Sequence, residues 1–293
     1  MSLSSRSSYT ARRYRYYVVN RKRLTLFLIT AALFIIFLVL LILNLISSHK
    51  GQYTVDKFVS GDLLMYFELE KEMDVPWYYL AAIDLAEDIP ETEISRERSA
   101  GIALHLTGMK NPEDLSDFLS SYNNSKSFHR KVEREVKALS HIRLIAEDKI
   151  FPFATNAEYT YEDGYGDPRS YGGRRSHEGI DIMTDHGVPI LSVCDGEIEK
   201  SGWNELGGWR LGIRGAKDNI YYYYAHLSRY EGDPKPGDKV KKGQLIGYVG
   251  DSGYGQEGTT GEFLPHLHFG MYYGKEGKLR PFNPYPFLMA WER

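Results

Sequence analysis

Three histidines and one aspartate occur at spacings that suit a zinc-dependent hydrolase. His177 and Asp181 stand four residues apart, and the pair His266 and His268 follows far downstream. Zinc binds neutral imidazole nitrogen and carboxylate oxygen, and a catalytic zinc keeps three protein ligands and one position for water. A first His, an Asp four residues later and a His from a distant strand would supply those ligands. The remaining His of the pair would supply a general base.

The pair His177 and Asp181 is a weak signal when it is taken alone. Ile180 and Ile182 alternate with Asp181, which indicates extended chain. Residues four apart in a straight strand are separated by about 13 Å at Cα, whereas zinc donors lie about 2 Å from the metal. Gly179 between them can take the necessary bend and leaves room for an ion. A surface His and a turn Asp explain the same five residues equally well.

The downstream pair carries more information. Residues two apart in a strand point to the same face, so His266 and His268 face a common cleft while Leu267 and Phe269 face the core. Two histidines on one strand face are costly as ordinary core residues. His226 follows a run of four tyrosines and is a third candidate. A satisfied histidine at a strand end is an equally good interpretation of His226.

The elements that would position these residues differ between two parts of the chain. From residue 151 to the end, Gly and Tyr are abundant and helix signals vanish, which is typical of an all-β domain. Short apolar runs that alternate with turn residues predict strands within 188–194, 197–200, 211–213, 219–224 and 238–249. Cys194 lies in the first of these runs, and we expect a buried free thiol there.

The preceding region, 47–150, contains a short polar linker and then helical sequence. Residues 54–148 show helix-like apolar spacing and few strand signals. A helix is expected to begin at Pro112, which suits a first helical position, and 128–147 is an amphipathic candidate. Residues 75–83 faintly resemble the first helix of lysozyme-like lytic enzymes. A helical spacer, or a module that docks a protein partner, fits this short region better.

The N-terminal region combines a basic tail with an apolar run. Residues 24–46 are uncharged and long enough to span a hydrocarbon core as a helix. Residues 1–23 are basic and contain no acid, which predicts a cytoplasmic N-terminus and an extracytoplasmic C-terminal domain. A cleaved signal peptide is the competing interpretation, but its apolar region is usually about 7–15 residues. We therefore expect a single-pass protein of the cell membrane.

The charge distribution excludes one class of partner. Residues 1–50 hold eight of the 36 Lys and Arg residues and none of the 39 Asp and Glu residues. The rest of the chain is therefore acidic and carries no basic footprint for nucleic acid.

Three motifs together resemble a known family. The segments 177–181, 224–227 and 266–269 are similar to the motifs of the lysostaphin-type, or LytM-type, zinc metallopeptidases, which cleave peptide bonds in bacterial peptidoglycan. The segments 187–190 and 237–244 resemble the scaffold of that family as well. The resemblance covers 151–293 and leaves the helical region uncovered. It implies a small antiparallel β-fold with an open groove and a bound Zn²⁺ ion.

The resemblance also implies roles for single residues. By position in the motifs, His177, Asp181 and His268 are expected to be the zinc ligands. His266 is expected to be the general base, and His226 its partner in the groove. The stretch 253–264 before the histidine pair is longer than a minimal turn, so that wall of the groove is expected to be distinctive.

Two residues upstream of the first motif are weaker candidates. Arg169 and Tyr171 lie eight and six residues before His177. Either is a candidate contact for substrate or for the developing oxyanion, and a structural role explains each equally well.

Together these observations predict a mainly β catalytic domain that follows a helical region and one transmembrane helix. The expected function is a membrane-anchored endopeptidase of bacterial peptidoglycan that uses one zinc ion per chain. The alternative is a non-catalytic scaffold of the same fold that binds the wall or a protein partner. All five motif residues are present, which argues against a scaffold that has lost its ligands.

Overall fold

The computed structural model describes residues 27–39, 62–87, 89, 94–108, 112–275 and 277–292, and for residues 62 and 112–114 it describes the backbone alone. Two compact units divide the chain, Met1–His49 and Lys50–Arg293. The helical region and the β-rich region therefore belong to one unit. The domain boundary expected near residue 150 stays a prediction.

The first unit contains helix α1 at 27–39. Across the described ranges, no helix has the length and apolar character needed to cross a membrane. A span takes about 20 apolar residues, and the described part of α1 has fewer. The predicted single-pass membrane location is therefore wrong on this finding. The tail 1–23 and the remainder of 24–46 lie outside the described residues.

Helices fill the first part of the second unit, as the apolar spacing predicts. They are α2 Asp62–Met73, α3 Trp77–Ala86, α4 Arg96–Leu106, α5 Pro112–Tyr122, α6 Lys126–Ala138 and α7 Ser140–Glu147. Every residue of α3 is buried, so the other helices pack around it. Ser95 begins α4 by accepting a hydrogen bond from the backbone N–H of Arg98, which is a common N-cap. α5 begins at Pro112 as expected.

Antiparallel strands make up the second part, and a final helix closes it. The elements are β1 Pro168–Arg169, β2 Arg175–Ser176, β3 Ile180–Met183, β4 Pro189–Leu191, β5 Gly196–Asn204, β6 Gly208–Gly215, β7 Tyr221–Tyr230, β8 Lys239–Val240, β9 Leu245–Val249, β10 His266–Tyr273, β11 Arg280–Phe282 and α8 Tyr285–Trp291. The main sheet runs β11-β10-β7-β6-β5-β8, with β3 also on β10, and β9 between β4 and β7. β1 and β2 form a separate hairpin. The expected β fold is confirmed.

Strand β7 separates the core from an open face. Tyr222 and Tyr224 are fully buried, and their hydroxyl groups are satisfied inside the core. Tyr222 donates to Asp218 over 2.7 Å, and the backbone N–H of Val193 donates to Tyr224 over 3.0 Å. Tyr223, between them, lines a cleft on the opposite face. The tyrosine run therefore alternates between core and cleft.

Helix α8 joins the helices to the sheet. Its Trp291 donates from Nε1 to the carbonyl of Ile145 in α7 over 3.0 Å. The ring of Phe287 lies edge-on to Phe67 of α2, with centroids 6.1 Å apart. Both contacts hold the helical region on the β part of the same compact unit.

Cys194 is a buried free thiol, as the sequence predicts. Burial, followed by the negative charge of Asp218, raises the pKa of its thiol to about 12. The thiol is therefore protonated at neutral pH.

Candidate metal and catalytic site

Sheet register brings the two distant motifs together. On β3 and β10, Asp181 lies directly opposite His268, and Met183 lies opposite His266. Leu267 is fully buried, so both histidines of β10 project from the other face. The shared face that strand alternation predicts is present in the structure.

Three donor atoms converge at the end of this face. Nε2 of His177 lies 3.0 Å from Oδ1 of Asp181 and 3.0 Å from Nδ1 of His268. Nδ1 of His268 lies 2.9 Å from the same Asp181 oxygen. Ligands of a tetrahedral zinc are about 3.3 Å apart when each lies about 2.0 Å from the metal. The three side chains therefore fit a zinc ion after a shift of a few tenths of an ångström.

The protonation pattern of the cluster also suits a cation. Nδ1 of His177 donates to the carbonyl of Gly164 over 2.8 Å, which leaves Nε2 with a lone pair. Burial raises the pKa of Asp181, but the polar contacts with His177 and His268 outweigh it, and the pKa lies well below its ordinary value. Burial lowers the pKa of His268. An ionised carboxylate and neutral imidazoles are the forms that bind metal.

Gly179 makes room for this arrangement. A Cβ atom at this position would lie 2.6 Å from the carbonyl oxygen of Phe269 and 2.8 Å from the ring of His268. The ring of His268 and the backbone of Phe269 therefore occupy the space that the sequence predicts for the ion. Any larger residue would displace one of them.

Arg169 contacts the ligand set directly. Its Nη2 donates to Oδ2 of Asp181 over 2.7 Å and lies 2.9 Å from Nδ1 of His177. Arg169 thereby holds the carboxylate with Oδ1 turned toward the other ligands. Tyr171 is exposed and stacks on Tyr254, with ring centroids 4.1 Å apart. Substrate or oxyanion contacts by Arg169 and Tyr171 stay predictions.

His226 and His266 form a second pair beside the three donors. Their rings lie 4.7 Å apart. Nδ1 of His266 donates to the carbonyl of Leu264 over 2.7 Å, and Nδ1 of His226 donates to the carbonyl of Ser252 over 2.8 Å. Both rings therefore keep a lone pair on Nε2, and Nε2 of His266 lies 3.7 Å from Oδ1 of Asp181.

The environment of His226 keeps its ring neutral. Burial, and then the repulsion that His266 exerts when it is protonated, holds the pKa of His226 well below its usual value. Its backbone adopts a φ of 64°, an uncommon conformation for a residue with a side chain. The backbone N–H of His226 donates to the carbonyl of Gly207 over 2.8 Å, which helps to fix this conformation.

The site lies in an open cleft of about 680 Å³. The cleft includes residues that the sequence analysis did not single out: Arg175, Asn204, Arg210, Tyr223, Tyr254 and Phe263. Tyr254 and Phe263 come from the long stretch 253–264 and flank His226, with ring centroids 6.1 Å and 4.6 Å away. That stretch therefore builds one wall of the groove.

The remaining histidines and the helical region lack such a cluster. Across the described ranges, His177, Asp181 and His268 form the one cluster of side chains whose donor atoms could hold a metal ion. The cluster does not include His105, His129, His141 or His186. His49 lies outside the described residues. Asp84, in the segment with a faint lysozyme-like pattern, is 1 % exposed and accepts hydrogen bonds from core side chains of Tyr66 and Ser99. A core carboxylate of this kind has no access to a substrate.

Comparison with known proteins places the chain in a family. The profile of peptidase family M23 matches residues 175–284. An L-Ala–D-Glu endopeptidase from Bacillus subtilis is 34% identical over 315 residues, which cover 87% of this chain and 96% of that protein. The chain belongs to peptidase family M23. The expected enzyme class, a metalloendopeptidase, is confirmed at the level of the family.

Two further relatives agree with this assignment. The M23 resemblance extends to the peptidoglycan DD-endopeptidase ShyC of Vibrio cholerae, at 38% identity over 95 residues that cover 32% of this chain and 20% of ShyC. A crystal structure of a LytM protein from Ruminococcus gnavus matches 80% of this chain and 87% of its own, with 33% identity and a TM-score of 0.52. The similarity to LytM-type peptidases is therefore confirmed, and this match extends beyond the M23 domain.

Proposed function

We propose that the protein is a zinc-dependent endopeptidase that hydrolyses peptide bonds of bacterial peptidoglycan. One zinc per chain is held by His177, Asp181 and His268. The observation that carries the proposal is the convergence of these three donor atoms, 2.9–3.0 Å apart, in an open cleft. The L-Ala–D-Glu endopeptidase and the peptidoglycan DD-endopeptidase among the relatives support peptidoglycan as the substrate.

The chemistry divides between the metal and the second histidine pair. Zinc, when bound, polarises the scissile carbonyl and lowers the pKa of water toward about 7. His266 takes the proton from the attacking water on Nε2 and passes it to the leaving amine, because Nδ1 is already committed to Leu264. His226 is neutral with a lone pair on Nε2, so it accepts a hydrogen bond from the water and orients it.

The decisive experiment separates ligands from base. His177→Ala and His268→Ala each remove one of three ligands, so zinc content falls sharply and activity is lost. His266→Ala keeps three ligands, so it retains zinc and loses activity by about 10²–10⁴-fold. Zinc per chain, measured beside the rate of crosslink cleavage, gives both readouts. His186→Ala, in an exposed turn outside the site, is the control and changes neither.

Other outcomes would reassign the roles. Full zinc occupancy in His177→Ala would remove that residue from the ligand set. Loss of metal in His266→Ala together with its retention in His268→Ala would exchange the two roles. A wild-type protein that binds zinc but cleaves no wall preparation would favour the non-catalytic scaffold.

A further inference from the structure

Arg210 carries a donor that no described residue satisfies. Arg210 lines the cleft, and its Nη1 is buried without a hydrogen-bond partner in the described part of the chain. A buried polar group without a partner has lost its hydrogen bonds to water and gained none in return, which destabilises the protein, and more so if the group is charged. Such groups are rare in native structures, and each one calls for an explanation.

The other cleft arginines are engaged within the protein. Arg169 pairs with Asp181, and Arg175 donates to the hydroxyl of Tyr254 over 3.3 Å. The charge of Arg210 instead lies near the neutral phenol of Tyr223. Burial raises the pKa of Tyr223, and the nearby charge of Arg210 opposes that rise without reversing it. Within the described ranges, Arg210 forms no ion pair with an acidic side chain.

The sheet places Arg210 at a defined distance from the candidate metal site. His268 on β10 pairs with Ala225 on β7, and β6, which carries Arg210, is the next strand. Neighbouring strands lie about 4.8 Å apart, so two steps separate the Cα atoms of His268 and Arg210 by roughly 10 Å. The side chain of Ala225 is a single methyl group, so it leaves the cleft open between His268 and Arg210.

A β-bulge in β7 lies opposite Arg210. Trp209 pairs with Leu227 and Leu211 pairs with Tyr224, so Ala225 and His226 together oppose Arg210. The extra residue belongs to β7, where His226 has a φ of 64°. The bulge therefore places Arg210 directly across from the strand segment that carries His226.

We propose that Arg210 recognises a free carboxylate of the peptide substrate and so selects acidic peptides for the site described above. This inference rests on the proposed peptidase function. A guanidinium offers a planar fork of donors that matches a carboxylate. A carboxylate of a peptide laid across Ala225 would pair with the guanidinium, and Nη1, which is buried without a partner in the free protein, would reach that carboxylate after a rotation of the side chain. The scissile bond would then lie at the proposed metal ligands.

The test compares two synthetic wall peptides. One carries a free glutamyl carboxylate, and in the other that group is a carboxamide. We expect wild-type kcat/KM to favour the carboxylate by about 10- to 100-fold, the range expected for a hydrogen bond to a charged group. Arg210→Gln should bring the ratio near one by losing rate on the carboxylate peptide alone. Arg210→Lys keeps the charge but not the planar fork of donors. Its ratio of kcat/KM for the two peptides should lie between those of the wild type and Arg210→Gln. Arg229→Gln is the matched control, because Arg229 stacks on Tyr248 outside the cleft.

A second measurement separates this inference from the proposed function. Calorimetric binding of both peptides to zinc-loaded His266→Ala reads carboxylate preference without turnover, and Arg210→Gln in that background should abolish the preference. If the wild type cleaves neither peptide but the binding preference for the carboxylate is present, the peptidase proposal would be overturned and the inference about Arg210 would stand. An Arg210→Gln variant that loses rate equally on both peptides and melts at a lower temperature would show a structural role and overturn the inference.

Discussion

Gly179 shows how much of the site depends on a single missing side chain. The sequence predicts a glycine that bends the chain beside a metal. The structure shows instead that the ring of His268 and the carbonyl of Phe269 occupy the place of its absent Cβ. The residue types of a ligand set are visible in a sequence, but the crowding around them follows from strand pairing.

The residue Gly179 therefore provides a sharp prediction. Gly179→Ala should weaken zinc binding and lower the free energy of unfolding by about 1–3 kcal/mol, the usual cost of overpacking. Zinc titration and urea unfolding measure the two effects. Gly101→Ala is the control, since a Cβ there meets nothing within 4 Å and alanine in a helix is favoured by about 0.5–1 kcal/mol. Unchanged zinc affinity in Gly179→Ala would contradict the crowding argument.

The five motif residues could be found from the sequence because histidines and an aspartate at short spacings are unusual. Arg210 and Phe263 could not. A single arginine in a strand and a single aromatic residue in a long loop carry no spacing signal. They reach the cleft only through the order of strands and the path of the loop, which depend on contacts far away in sequence.

At the scale of elements, local pattern predicts the strands better than their partners. The run 238–249 predicts two short strands around a turn, and β8 and β9 are present there. They do not pair with each other: β8 lies on β5, and β9 lies between β4 and β7. Similarly, the amphipathic segment 128–147 divides into two helices at Leu139, which is fully buried. Tertiary packing decides both outcomes.

One buried ion pair links the end of the helices to the sheet. Asp218, just before β7, pairs with Lys149 over 2.8 Å, and both side chains are at most 1 % exposed. Asp218 also accepts hydrogen bonds from the Tyr222 hydroxyl and the Ile220 backbone. The loop before β7 is thereby fixed to the chain that follows α7.

Removal of one charge from this pair should be costly. Asp218→Asn leaves the buried Lys149 ammonium with Asp148 as its remaining acidic partner, 3.7 Å away, and we expect a loss toward the lower end of about 3–5 kcal/mol in the free energy of unfolding. Asp233→Asn is the matched control, because its pair with Lys235 is exposed and such pairs contribute about 0–1 kcal/mol. Urea unfolding with zinc present compares the two variants. Equal losses would show that burial does not distinguish these pairs.

At the scale of the whole molecule, the helical region is a structural neighbour of the catalytic part. The described residues of the second unit pack as one body, and α8 contacts both α2 and α7. The sequence indicates where helices give way to strands, but its prediction that helices are absent after residue 151 is wrong for α8, and it does not predict that α8 packs on the first helices. Docking of a protein partner by residues 54–148 stays a prediction.

Truncation tests this dependence. A fragment of residues 151–293 loses the Ile145 carbonyl that accepts from Trp291 and exposes Phe287. We expect its melting temperature to lie roughly 5 °C or more below that of residues 50–293, because about 1 kcal/mol corresponds to 2–4 °C in a domain of this size. Scanning calorimetry with matched zinc content measures the difference. Equal melting temperatures would show that 151–293 folds as an independent domain.

The burial of Cys194 makes the fold indifferent to redox conditions. It is the single cysteine of the chain, it is 2 % exposed, and a pKa of about 12 leaves almost no thiolate to attack a disulfide. Thiol exchange therefore reaches the native protein only after unfolding. Melting temperatures with and without reductant should coincide, and a covalent dimer on a non-reducing gel of the native protein would show that the thiol is reachable. The proposed zinc ligands are nitrogen and oxygen donors, so they share this independence from oxidants.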